Sequence, residues 1–202
     1  MSNFPKEIRN LVEKHKKLAT SPIKIWRMPE KGKQYVIGAD PCLGNDEDSN
    51  AAIQIIDVET GEQCAEYAAV ISPEKLAPII FDLGNLYNAA EVAVEVNSVG
   101  MVTNSILMKK LEYEHLYRYE RLGSRTAAGT EIFGWWTDYK TKVRMESAFQ
   151  HFFASTPELI HSKKLLEEIL SYTEDSTEPD DRLVAMMIAL TVRSEKSLVA
   201  VG

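Results

Sequence analysis

Cysteine is scarce. The 202 residues hold only two, Cys42 and Cys64, and they form no CxxC pair. Neither a zinc site nor a disulfide framework is indicated. Long apolar runs are missing as well. The longest, Leu183 to Leu190, is too short to cross a bilayer, and residues 1–20 are charged throughout with no signal-peptide core. The chain therefore reads as cytosolic, with no membrane partner. No GxxxxGK[ST] occurs, so the segment from Gly38 to Gly44 is not a phosphate loop and carries no ATPase chemistry. Ten Gly and eight Pro leave no low-complexity tract, and no internal repeat is visible. Positive charge is also short: the net charge is −7.

That deficit argues against a nucleic-acid partner until the charges are placed. Residues 1–33 carry nine Lys/Arg against three Asp/Glu, and residues 34–117 carry three against fourteen. Residues 118–144 carry six against three, and residues 145–202 five against ten. Two basic zones thus flank an acidic middle. Attraction to phosphates is local, and divalent cations bound in the acidic part would cancel some of its excess.

Residues 1–33 read as a basic linker or docking arm, with a charged helix over 6–18 broken by Pro22 and the Pro29–Lys33 stretch. Residues 34–202 read as one α/β domain. Strands are predicted at 34–40, 51–58 and 63–70, the last two joined by a turn at Thr60-Gly61. A helix over 73–88 starts with Pro at its first position. A strand at 91–96, a helix at 99–111 and a strand at His115–Tyr119 follow. Glycines at 123, 129 and 134 punctuate an excursion over 122–137, and helices are predicted at 138–154, 162–172 and 180–193. This order fits a mixed central sheet, three antiparallel strands then parallel ones, with helices on both faces.

Four carboxylates sit where an isolated charge is costly. Asp40 closes the apolar run Tyr35-Val36-Ile37-Gly38-Ala39, and Glu95 interrupts Val92-Ala93-Val94-Glu95-Val96. Asp180 and Asp181 stand just ahead of the apolar run from Leu183 to Leu190. A buried acid is tolerated when paired, hydrogen-bonded or bound to metal. Three have a bland alternative, Asp180 or Asp181 as a helix cap and Asp40 as a strand terminator before Pro41, while Glu95 in its valine-rich run is hardest to explain away. The joint pattern is what points to acids converging on hard cations, as in a metal-dependent nuclease.

The motifs also resemble those of a known family, the nuclease domain of the large terminase subunit of tailed bacteriophages. The matching text runs from Tyr35 to Pro41, then Asp48-Ser49-Asn50-Ala51-Ala52-Ile53, then Tyr87 to Asn97 with Gly100 behind it. Leu116-Tyr117, Gly134-Trp135 with Thr137, Thr141-Lys142, and Asp180-Asp181-Arg182-Leu183-Val184-Ala185 follow in order. The resemblance covers roughly residues 34–193. It implies an RNase H-like fold and an endonuclease that hydrolyses double-stranded DNA with two Mg²⁺ or Mn²⁺ ions, leaving a 5′-phosphate and a 3′-hydroxyl. It implies Asp40, Glu95 and Asp181, together with Asp180, as catalytic metal ligands, and Asn97 as a group supporting Glu95. Lys140, Lys142, Arg144 and Arg125 become phosphate contacts, and the 122–137 excursion a hairpin governing DNA access. The segment before Asp180 is shorter and more acidic (Glu174, Asp175, Glu178) than in many relatives, which leaves open which of Asp180 and Asp181 meets metal directly. The implied setting is viral genome packaging in the cytoplasm of an infected bacterial host. The implied partners are an ATPase domain elsewhere in a longer chain, the portal and the small terminase subunit.

Rival readings fare worse. Asp46, Asp48 and Asn50 match an EF-hand at positions 1, 3 and 5, but Ala51 stands where Gly is needed and Asp57 where Glu is needed. A sugar-kinase-like phosphotransferase lacks its glycine-rich loop and its duplicated half. A silent DNA-binding or motor-docking module has no use for all four acids. A junction-resolvase-type nuclease shares the chemistry and differs in preferring branched substrates.

Overall fold

Six residues of one strand place the whole domain. In a computed structural model, which describes residues 23–45, 49–97, 99–119, 132–173 and 180–199, strand β2 (Tyr35–Asp40) lies inside a five-stranded sheet. The others are β1 (Lys24–Ile25), β3 (Ala51–Asp57), β4 (Gln63–Ala69) and β5 (Glu91–Val94), in the order β1-β4-β3-β2-β5. β2 pairs antiparallel with β3, which pairs antiparallel with β4, while β2 and β5 run parallel. Every residue of β3 and β4 is buried, as expected of strands covered on both faces.

Alternation along β2 sends Ile37 and Ala39 to one face, where they join Ile53, Ile55, Leu76, Ile79, Ile80 and Leu83. That face is covered by helices α1 (Pro73–Leu86) and α2 (Gly100–Lys109). Val36 and Gly38 point to the opposite face, covered by α3 (Tyr139–Ser155), α4 (Lys163–Ser171) and α5 (Asp181–Val199). Leu183, Met186, Met187, Ile188 and Leu190 of α5 are buried there, each contributing about 1.5–3 kcal/mol.

The seat of α5 on the sheet is unusually close. A Cβ added to Gly38 would lie 2.0 Å from the carbonyl oxygen of Ala185 and 2.8 Å from the amide nitrogen of Ala189. Ala185 also packs on Ala52 and Ala68. Helix backbone thus rests almost directly on strand backbone.

Two expectations are revised. The strand predicted at His115–Tyr119 divides: Leu116 makes a single parallel bridge to Val92, and Arg118–Tyr119 (β6) turns away to pair antiparallel with Ile132–Phe133 (β7). These two short strands are the base of the 122–137 excursion, most of which lies outside the described residues. In addition, the sheet starts ahead of the boundary drawn at residue 34. Lys24–Ile25 pairs with Glu66 and Ala65, and Tyr87 donates its hydroxyl to the Arg27 carbonyl at 2.8 Å. Residues 1–22 lie outside the described residues.

Candidate active site at the carboxyl ends of β2 and β5

Asp40 is the last residue of β2 and shares the face of Val36 and Gly38, so it points toward α5. Glu95 follows β5 on the neighbouring parallel strand and shares the face of Ala93, again toward α5. Its amide donates to the Ala39 carbonyl at 2.8 Å, which sets the two acids side by side. α2 starts hard against this point: a Cβ on Gly100 would lie 1.6 Å from the Glu95 carbonyl oxygen, so only glycine allows the approach. Asp181 arrives from the first turn of α5. Its carboxylate accepts the Asn50 amide at 2.9 Å and the Ser49 hydroxyl at 3.5 Å, directly ahead of β3. Since Ala52 pairs with Asp40 across β2 and β3, this tie brings Asp181 to the same edge.

The electrostatics record the convergence. Burial pushes the Asp40 carboxyl well above its ordinary range; Glu95 and Asp181, a hydrogen bond shared with Glu95, and Asp180 push it further the same way. Burial and Asp181 also raise Asp180, against the opposing charge of Lys142. Burial raises Asp181 against the hydrogen bonds from Asn50 and Ser49. Four acids from three elements therefore act on one another. Among the described residues, no three His, Cys, Asp or Glu side chains form a ready-made metal cage. Instead, the Asp40 carboxyl is buried beside Glu95, Asp181 and Asp180, and their charges oppose its ionisation.

The remaining sequence-predicted residues separate. Asn97 makes a two-way bond with Thr137, donating to its carbonyl at 2.6 Å and accepting its amide at 2.9 Å. It fastens the segment after Glu95 to the approach of α3. Trp135, fully buried, extends the same join: its amide donates to the Val94 carbonyl and its own carbonyl accepts from Val96. Lys140, Lys142 and Arg144 are all exposed on α3, where Lys140 and Arg144 share a face and Lys142 lies on another. Only Lys142 bears on the acids, through Asp180. Arg144 pairs with Glu195 and lies 5.9 Å from the centroid of the Trp135 ring. With Lys140, His151 and Arg193 it lines a groove of about 710 Å³ between α3 and α5, away from the acids. Arg125, Glu174, Asp175 and Glu178 lie outside the described residues.

Sequence reasoning missed the groups beneath the site. Gln54 and Glu66 lie buried in β3 and β4, and Arg182 bonds Glu168 of α4 at 2.7 Å. The signal was present, because Glu66 interrupts its apolar strand just as Glu95 does. Ser49 and Asn50 belong to the family-matching text, but nothing in the sequence shows their hold on Asp181.

No protein-family model and no curated protein matches the chain. Solved structures do. The large terminase nuclease of thermophilic phage G20c with bound magnesium superposes with a TM-score of 0.59 at 13% identity, over 84% of this chain and 86% of that one. The manganese-soaked, inhibitor-bound terminase nuclease domain of human cytomegalovirus gives a TM-score of 0.52 at 11% identity, over 97% of each chain. The fold is that of the terminase nucleases. The RNase H-like mixed sheet expected from the sequence is present in it. Within the terminase nuclease fold, the acids stand at the carboxyl ends of adjacent parallel strands, where open sheets of this kind place their ligands. The G20c nuclease has also been solved with zinc and with cobalt bound.

Proposed function

We propose that the chain is a metal-dependent endonuclease that cuts double-stranded DNA during viral genome packaging. The observation that carries this reading is the meeting of Asp40, Glu95, Asp180 and Asp181 at one sheet edge, with Asp40 displaced upward in pKa by burial and its acidic neighbours. Such repulsion is a standing cost that divalent cations would remove. The donor set fits them: all four side chains offer hard carboxylate oxygens and no thiolate. The fold supports it too, as do the metals bound to its structural neighbours.

Asp40, Glu95, Asp181 and Asp180 would hold two Mg²⁺ or Mn²⁺ ions. Ions bound there supply an activated water and charge stabilisation at the leaving oxygen of the phosphodiester. The chain's own residues do the rest. Asp40 and Glu95, set side by side by the Glu95 amide on the Ala39 carbonyl, would offer their oxygens together. Asn50 and Ser49 keep one side of Asp181 occupied, so that it presents a fixed face. Asn97 holds the Glu95 segment against α3, and Lys142 sits close enough to Asp180 to meet a phosphate beside it. Lys140, Arg144 and Arg125 are further phosphate contacts in this reading. Backbone contacts of this kind carry little sequence information, so cutting is of low sequence preference. The setting is the host cytoplasm, with an ATPase domain, a portal and a small terminase subunit as partners.

Supercoiled-plasmid cleavage tests the proposal. Nicking and linearisation are expected with Mn²⁺ or Mg²⁺, and neither with EDTA nor with the Asp40→Ala variant. A folded chain that leaves the plasmid intact under every ion would instead be a silent DNA-binding or docking module. Preference for branched junctions over plain duplex would mark a resolvase-type nuclease.

A further inference from the structure

The seat of α5 on Gly38 fixes how near the helix comes, but alanine on glycine offers no side chains to stop it sliding or turning. Something else has to set where its first turn points. Arg182, the residue after Asp181, is the only long polar side chain of that turn directed into the protein, with 11% of its side chain exposed. Its Nη1 donates to Glu168 Oε1 at 2.7 Å, and the other Glu168 oxygen accepts the Leu183 amide at 3.0 Å. One carboxylate of α4 thus grips both the side chain and the backbone of the first turn of α5. On its other side, Arg182 Nε lies 3.5 Å from Glu66 Oε1 of β4, an ion pair without a formed hydrogen bond.

Glu66 is itself fixed. It accepts from Gln54 Nε2 at 3.1 Å and from Lys24 Nζ at 3.3 Å. Gln54 Nε2 also lies 3.5 Å from the Arg182 carbonyl, and Gln54 Oε1 accepts from Gln63 at 2.7 Å. Gln63 in turn accepts the amides of His161 and Ser162, where α4 begins. The network therefore joins β3, β4, α4 and α5 beneath the acids. Buried ionic groups of this kind seldom surpass apolar side chains of similar volume in stability. What they do provide is a fixed direction, because a planar guanidinium donates to its partners only at set angles.

We infer that Arg182 is a positioning residue for the metal-binding acids: held between Glu168 and Glu66, it sets the rotation of the first turn of α5 and hence the approach of Asp180 and Asp181 to Asp40 and Glu95. The inference rests on the nuclease reading given above. With 11% of its side chain exposed and both neighbours inside the protein, Arg182 is not itself placed to contact a phosphate. Its effect is on the geometry in which the four carboxylates can share a cation.

The test measures Mn²⁺ binding by calorimetry in the absence of DNA, thermal melting without metal, and the kcat and KM of plasmid cleavage. The chains are the natural one, Arg182→Lys, and the triple variant Arg182→Met with Glu66→Gln and Glu168→Gln, which leaves no buried charge unpaired. The triple variant is expected to bind Mn²⁺ about 10–100-fold more weakly, the range seen when groups supporting metal ligands are removed. Its kcat should fall while KM for DNA holds, and its melting should stay close to that of the natural chain. Arg182→Lys, which keeps the charge but not the fork, should fall between the two. Natural Mn²⁺ affinity in the triple variant would overturn the inference and leave the nuclease reading standing. If the natural chain itself neither binds Mn²⁺ nor cuts, both fall together. Should the triple variant not fold, Arg182→Lys decides alone: undiminished Mn²⁺ affinity overturns the inference, and weakened affinity with unchanged melting upholds it.

Discussion

Asp40 and Asp57 end neighbouring antiparallel strands, each after a run of apolar residues, at opposite edges of the same sheet. In sequence they look alike. Their surroundings are opposite. Burial would raise the Asp57 carboxyl, but the Thr60 amide at 3.0 Å, Lys33 Nζ at 3.1 Å and the Glu59 amide at 2.8 Å outweigh it and hold it below its ordinary range. Asp40 meets other acids and is pushed up. One aspartate is satisfied by the fold and closes a hairpin. The other is left in deficit by the fold, and that deficit is what a cation would fill.

The largest expected effect comes from emptying the second of these positions. Asp40→Ala should lower Mn²⁺-dependent plasmid cleavage by about a thousandfold or more, since it removes one of the four proposed metal ligands. The same variant should melt no lower than the natural chain without metal. The sign follows from the raised carboxyl. Its cost is absent below the ordinary carboxylate range and grows as pH rises through the raised value. Urea denaturation with EDTA should therefore show Asp40→Ala gaining on the natural chain at pH 8 and not at pH 4. An equal difference at both values would mean that the acids do not repel one another.

Next in size is the seat that both edges share. Gly38→Ala forces a methyl into the backbone of α5 and should cost about 1–3 kcal/mol or more in urea denaturation. It should lower cleavage as well, because α5 begins with Asp181, directly after Asp180. Asp57→Ala should cost about 1–3 kcal/mol by leaving the Thr60 and Glu59 amides and Lys33 without their acceptor. Cleavage should be unchanged. The depressed carboxyl gives the opposite pH sign: its stabilisation is present above the ordinary carboxylate range and lost as pH falls through its lowered folded value. The gap between natural chain and variant should thus close in acid. The smallest effect separates Lys142 from its neighbours. Lys142→Ala should weaken duplex binding uniformly across sequences and reduce the salt slope by about one, with no change in melting. A lost sequence preference would instead assign Lys142 to base contacts.

Among the described residues, periodicity and turn chemistry located β2 to β5 and the starts of the five α-helices to within a few residues, although α5 runs on to Val199, past the predicted end at 193. Long apolar runs bounded by Pro and Gly leave little choice. The acids were legible for the same reason, as charges inside runs that must be buried. Other parts were not. Lys24–Ile25 is a two-residue strand in a basic stretch after Pro22, and its pairing depends on an edge that only the folded β4 supplies. The split of His115–Tyr119 depends on Phe133 and Ile132 returning from a distant part of the chain. The opposed faces of Lys142 and Arg144 follow from helix geometry, but which face meets the acids does not. Glu66 was overlooked although it breaks its strand as Glu95 does; a buried acid in sequence does not say whether its partner is a cation or an arginine.

Gly38, Ala185 and Ala189 have one more consequence. A joint made by leaving side chains out asks for smallness at a few positions and nothing of the identity of the rest. The surrounding interior is then free to be refilled in many ways while strand end and helix start keep their relation. A fold anchored like this can drift far in sequence before it drifts in shape, and a likeness at 13% identity is a natural place for such a chain to stand.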